Sequence, residues 1–209
     1  STKLCGGDTV FSKKLSFTIT SIGFSNKIIF RNKAKINDDI YVTGNLGDSF
    51  IGLKVLQNKI KLNKDLTNYF KMKYFHPVLH HNIAKKLFSF ANTSIDISDG
   101  LVSDLEKIIN KQKLSYKLFL NDIPISNNLK KLIDAKIISK LSSVFSGDDY
   151  QILFTATPSK SRIISKISKQ LGIKISKIGK IHAHSQKSEI IDEKKRKIAF
   201  KNKGYFHRF

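Results

Sequence analysis

Residues 94–108 read SIDISDGLVSDLEKI, and the change of period inside that stretch constrains the fold more than any other feature of the chain. Ile95 and Ile97 alternate around Asp96 as in a half-buried strand, whereas Leu101, Val102, Leu105, Ile108 and Ile109 recur at helical spacing. Ser98-Asp99-Gly100 is therefore a strand-to-helix turn, a unit that belongs in folds laying helices on a sheet. The same stretch gathers Asp96, Asp99, Asp104 and Glu106 in a chain with a large cationic surplus. Carboxylates at such a turn can collect a hard cation, or Ser98 or Asp99 can cap the helix by accepting from its first backbone N–H groups.

Strand and helix patterns alternate along the rest of the chain. LSFTITSIGF (15–24) has period two, IIFRNKAK follows, and IYVTG (40–44) reads as another short strand. FIGLKVLQ after Asp48 is helical, and Ile83, Ala84, Leu87, Phe88 and Ala91 share one helical face. Beyond the SDG turn come a strand in SYKLFLNDIPIS, a helical stretch LKKLIDAKIISKL and a strand in DYQILFTATP. A helix carrying Ile163, Ile164, Ile167 and Leu171 follows, then a strand IKISKIGKI, while QKSEIIDEKKRK is a polar loop or hairpin. The class is mixed α/β, with a boundary near residues 32–39.

The formal charge of +22 invites a nucleic-acid reading, but Arg31, Arg162, Arg196 and Arg208 are the only arginines, and the lysines are scattered rather than clustered. Nucleic-acid binding is therefore not the expected primary function; such a field also attracts anionic metabolites. Cys5 is the sole cysteine, which excludes an internal disulfide and suits a reducing, cytoplasmic setting. No apolar run approaches a membrane span, so a membrane partner is not expected.

Several motifs have both a chemical and a plain reading. Gly6-Gly7-Asp8-Thr9 lets backbone approach a ligand closely with Asp8 holding a cation against its phosphates, or is a Gly-Gly hairpin turn. TGNLGDS (43–49) leads into a helix whose free N–H groups suit an anion, with Asp48 or Ser49 as N-cap the plainer alternative. FSGDDYQILF sets Asp148 and Asp149 before a strand, where neighbours face opposite ways and at most one enters a site. His76, His80 and His81 lack cysteine partners and are interrupted by Pro77, which argues against a metal centre. The terminal KGYFHRF carries Tyr205, whose ring can dock the tail or stack on a flat ligand. No Ser/His/Asp or Cys/His arrangement for nucleophilic hydrolysis is present.

In order and separation, CGGDT, Arg31, SIDISDGLVSDL, SGDDYQILFT and the terminal KGY resemble the thiamine-monophosphate kinase family, among the aminoimidazole ribonucleotide synthetase-like ATP enzymes. The likeness runs along essentially the whole chain, and D-x-S-D-G-L-x-x-D-L is its strongest element. It implies transfer of the γ-phosphoryl group of ATP onto thiamine monophosphate, with magnesium. It also implies that residues 1–35 end an N-terminal, ATP- and magnesium-binding α/β domain that pairs into a homodimer, and that residues 36–209 form a C-terminal mixed-sheet α/β domain. By resemblance, Gly7, Asp8, Arg31 and Ser98 contact ATP; Asp8, Asp96 and Asp99 hold magnesium; Asp148 and Tyr205 contact thiamine monophosphate. Two departures stand out: SGDDY replaces the family's GGEDY, shortening the carboxylate at 148 by one methylene, and the family's acidic G-D-D and S-T-D motifs have no counterpart. The chain opens on Ser1, so the expectation is the C-terminal two thirds of such an enzyme, with little activity alone. The alternatives are another enzyme of the same superfamily, such as a selenophosphate synthetase or hydrogenase-maturation protein, or a basic nucleic-acid-binding fragment without catalysis.

Overall fold

The computed structural model describes residues 3–109 and 112–198. Its elements begin with strand β1 (Asp39–Thr43), helix α1 (Asp48–Leu56), helix α2 (Lys64–Phe75) and the short helix α3 (Ala84–Leu87). Strand β2 (Thr93–Asp96) then turns into helix α4 (Leu101–Ile109), followed by strand β3 (Leu114–Phe119) and helices α5 (Asn127–Asp134) and α6 (Lys140–Val144). Strand β4 (Ile152–Ala156), helix α7 (Ser161–Leu171) and strands β5 (Ile175–Ala183) and β6 (Glu189–Ile191) complete the series.

The strands form one six-stranded sheet in the order β2-β4-β1-β5-β3-β6. Neighbours are antiparallel except β3 and β6, which run parallel, so the sheet is mixed. Alternation sends successive side chains to opposite faces. Ile40 and Val42 of β1 enter one core with Ile95, Leu101, Leu105, Ile108, Leu118 and Ile178, which seats α4. Tyr41, between them in sequence, enters the core on the other face, stacked on Phe154 at 5.2 Å and packed with Ile83, Leu87, Ile164 and Ile167 of the α3 and α7 side. A third cluster, built on Ile51, Val55, Phe70, Leu129 and Leu132, joins α1, α2 and α5.

Three expectations need correction. Residues 15–24 are not a strand: among the described residues no helix or strand precedes β1, and Leu15, Phe17, Ile19, Ile22 and Phe24 are more than four-fifths exposed. Period-two alternation makes a strand only where a neighbour supplies the ladder, and this segment has none among the described residues. The helix expected over Ile83–Ala91 is a 3-10 turn (His81–Ile83) plus the single turn of α3; Ile83 and Leu87 are buried, but Phe88 is 41 % exposed. LKKLIDAKIISKL is two helices, because Lys136 takes a positive φ of 57° after α5 and Ser139 caps α6 by accepting from Ser142 N.

Candidate active site

The turn after β2 is held from inside the helix that follows it. Asp104 of α4 is fully buried, and its Oδ2 accepts from the backbone N–H groups of Ser98, Asp99 and Gly100 at 3.0, 3.0 and 3.1 Å. Its Oδ1 takes Lys107 Nζ at 2.7 Å, and the same ammonium reaches Asp99 Oδ2 at 2.5 Å. Burial works against the Lys107 charge, but the hydrogen bonds to Asp104 and Asp99 outweigh it and push its pKa up. One buried carboxylate thus shapes the turn that presents another. A supporting role for Asp104, one helical turn beyond Asp99, is what its position in the sequence suggests; its pairing with Lys107 was not read there, although their i,i+3 spacing on a helix was the available signal.

A second loop is clasped onto this turn. Beyond the Asp96–Ile152 pair of the β2–β4 ladder, Ile97 N donates to Gln151 O (2.8 Å), Tyr150 N to Ile97 O (2.9 Å) and Asp148 N to Ser98 O (2.9 Å). The ladder therefore continues as a bulge, with Asp148 and Tyr150 at positive φ of 67° and 50°. That conformation costs about 1–2 kcal/mol for each side chain with a Cβ, and such strain concentrates at functional sites. Gly147 permits the approach: a Cβ there would stand 1.9 Å from Ser98 O.

The clasp brings together four of the residues expected from the sequence, Asp96, Ser98, Asp99 and Asp148. Asp96 is exposed at the end of β2, and Asp99 and Asp148 are half-buried beside it. Burial raises the Asp148 pKa, and the Asp99 charge raises it further. Tyr150, 39 % exposed, is also pushed up, first by burial and then by Asp148, Asp96, Tyr74 and Asp99, which places its phenol among the same acids. Its position two residues after Asp148 gave no sign of this, since the bulge is what turns it to the site.

Asp149 faces inward. It is buried, its Oδ2 accepts from Gly47 N at 2.8 Å, and burial holds its carboxyl well above the usual carboxylate range. The acceptor at the N-terminus of α1 is thus one of the chain's own side chains, with Gly47 at φ 91° as N-cap. Asp48 and Ser49 are not the N-cap: Asp48 accepts from Tyr69 Oη (2.9 Å) and Ser126 Oγ (2.7 Å), and Ser49 Oγ donates to Lys73 O. Those two contacts only partly offset the burial that raises the Asp48 pKa. His80 Nε2 lies 2.9 Å from Gln151 Oε1, and burial lowers its pKa against the opposing pull of that hydrogen bond.

Gly7, Asp8 and Arg31 lie in the exposed N-terminal segment and are not joined to the turn. A Cβ on Gly7 would meet nothing within 4 Å, and Asp8 accepts from its neighbour Thr9 N. Gly6-Gly7 is no hairpin turn either, since no strand flanks it. Tyr205 lies outside the described residues. Among the described residues no three His, Cys, Asp or Glu side chains are grouped to hold a metal ion, and no helix is long and apolar enough to cross a membrane. Two carboxylates at an open edge suit magnesium nonetheless, because that ion keeps several waters and takes one or two carboxylates plus substrate phosphates.

No family model matches the chain. Its fold is shared by AaThiL complexed with AMPPCP and TMP (TM-score 0.67, 24 % identity, covering 84 % of this chain and 53 % of that one). It is shared too by E. coli HypE, a hydrogenase maturation protein (TM-score 0.58, 13 % identity, 85 % and 53 %). The fold alone is thus shared with both neighbours. Sequence separates the two: the thiamine-monophosphate kinase of Buchnera aphidicola subsp. Schizaphis graminum is 38 % identical over 98 % of this chain and 63 % of its own length. In sequence the chain is similar to this thiamine-monophosphate kinase along nearly all of its own length, and it spans a little under two thirds of that relative.

Proposed function

We propose that this chain acts in ATP-dependent phosphorylation of thiamine monophosphate to thiamine diphosphate, with magnesium. The observation that carries the reading is the clasp of the Gly147–Tyr150 loop on the Ser98–Gly100 turn, which gathers Asp96, Ser98, Asp99 and Asp148 at one open edge of the sheet. Kinship adds to it: the Buchnera relative is named for this reaction, and AaThiL was solved with AMPPCP and TMP.

The acceptor in this reaction is already an ionised phosphate, so no strong base is required and the task is to align mutually repelling anions. Asp96 and Asp99 are the residues that would hold magnesium, which would supply charge to offset the repulsion between the phosphates. Ser98 offers a hydroxyl to a phosphate oxygen. Asp148, whose pKa is raised by burial and by the Asp99 charge, would contact the substrate. Gly7, Asp8 and Arg31 would reach the nucleotide from the N-terminal segment, and Tyr205 would stack on the thiamine.

Calorimetric titration with magnesium-ATP tests the reading, beside an assay of thiamine diphosphate formation. Asp99→Asn is expected to bind at least tenfold more weakly than the parent, equivalent to about 1.4 kcal/mol. Equal affinities would remove Asp99 from the site and the reading with it.

A further inference from the structure

We infer that Lys107 is a resident cation of the acidic turn: it holds Asp99 while the site is free of metal, and passes to a phosphate oxygen when a metal-bound nucleotide takes that carboxylate. The inference rests on the reading of Asp99 as a magnesium ligand. The ammonium is anchored by Asp104 Oδ1 at 2.7 Å and is the cation paired with Asp104 among the described residues, the second oxygen being occupied by three backbone N–H groups. A fully buried carboxylate keeps its counter-ion, so Lys107 stays at the turn whatever happens at Asp99. The contact to Asp99 at 2.5 Å is the exchangeable one: Asp99 is 22 % exposed and Lys107 39 %. An ammonium has three donors, and these two carboxylates use two of them.

A bare cation approaching Asp99 must break that ion pair and then sit beside a fixed positive charge. A metal-bound nucleotide meets the same ammonium with phosphate oxygens that can receive it. Lys107 should therefore weaken binding of a lone cation and strengthen binding of a metal-phosphate complex. A merely structural lysine would move both affinities together.

The test uses the full chain and Tb3+, a hard cation whose emission is sensitised by tyrosine; the chain has no tryptophan, and Tyr150 lies beside the turn. Lys107→Gln keeps a donor for Asp104 and removes the charge. It is expected to bind Tb3+ about fivefold more tightly, and to bind magnesium-ADP, measured by calorimetry, several-fold more weakly. Lys107→Arg, which keeps charge and pairing, should leave both affinities within about twofold of the parent, and it carries the test should Lys107→Gln not fold: a large change in Lys107→Arg in the same direction for both ligands overturns the inference. So does no change, or a parallel change, in Lys107→Gln. If the parent and both variants bind no Tb3+, the magnesium reading of the turn falls, and this inference falls with it.

Discussion

Residues 15–24 and strand β5 both intersperse apolar with polar side chains in a strand-like stretch, and they end in opposite conditions. Ile178 and Ile181 of β5 are fully buried between β1 and β3, whereas Phe17 and Ile19 are 83 % and 88 % exposed with no ladder beside them. Local pattern sets what a segment can become, and only a neighbouring strand makes it so. The candidate site divides along the same line: the three acids and the hydroxyl of the clasp are fixed by the sheet, while Gly7, Asp8 and Arg31 sit in the segment the sheet does not reach.

The contrast is broken most directly by truncation on both sides of it. Leu105→Ala, at a fully buried position, is expected to cost about 2–5 kcal/mol, and Ile19→Ala to stay within about 0.5 kcal/mol, both by urea denaturation. A comparable loss at Ile19 would show that the segment is packed in solution. Next in size, Gly147→Ala should lose about 2–3 kcal/mol, together with magnesium-ATP binding, because its methyl group would collide with Ser98 O. Gly7→Ala, in open space, should leave the melting temperature unchanged. Asp104→Asn comes third, at about 1.5–3 kcal/mol for weakened bonds to the turn and the lost pairing with Lys107, against an undetectable stability change for Asp8→Asn. A small effect at Asp104 would mean that the turn holds its shape without the carboxylate.

The smallest effect is a pH dependence confined to the folded body. Asp149 has a folded pKa raised above its unfolded value, so the native state binds more protons and stability falls as pH rises. The penalty is absent below about pH 4 and grows as pH climbs from there toward the raised folded pKa. Asp149→Asn, whose amide oxygen can still accept from Gly47 N, should flatten that decline. Melting curves of parent and variant between pH 4 and 7 that run parallel would show that Asp149 is not the group responsible.

Where a segment's own period agreed with its neighbours, the sequence was legible: β1, β4, β5, α1 and α7 fall where their apolar spacing puts them, and the SDG stretch turns from strand to helix at the expected residues. That only one of Asp148 and Asp149 stays near the surface agrees with the sequence reading, but both precede β4 and Asp148 takes a positive φ, so strand alternation is not the cause. What stayed hidden depends on contacts between distant stretches. Asp48 looks like a cap until Tyr69 and Ser126 claim its oxygens, and Tyr150 becomes a neighbour of Asp96 only through the bulge against Ile97. The segment at 15–24 misled for the complementary reason, since alternation carries no information about whether a partner strand is present.

The bulge also settles how the site can move. Asp96, Asp99 and Asp148 are tied through main-chain bonds within one ladder and through the buried Asp104, so they translate together as a single rigid unit. The main chain that carries these acids is thus set before any phosphate enters, and ligand arrival is left to adjust their side chains. Any closing over the substrate must come from parts of the molecule outside that ladder.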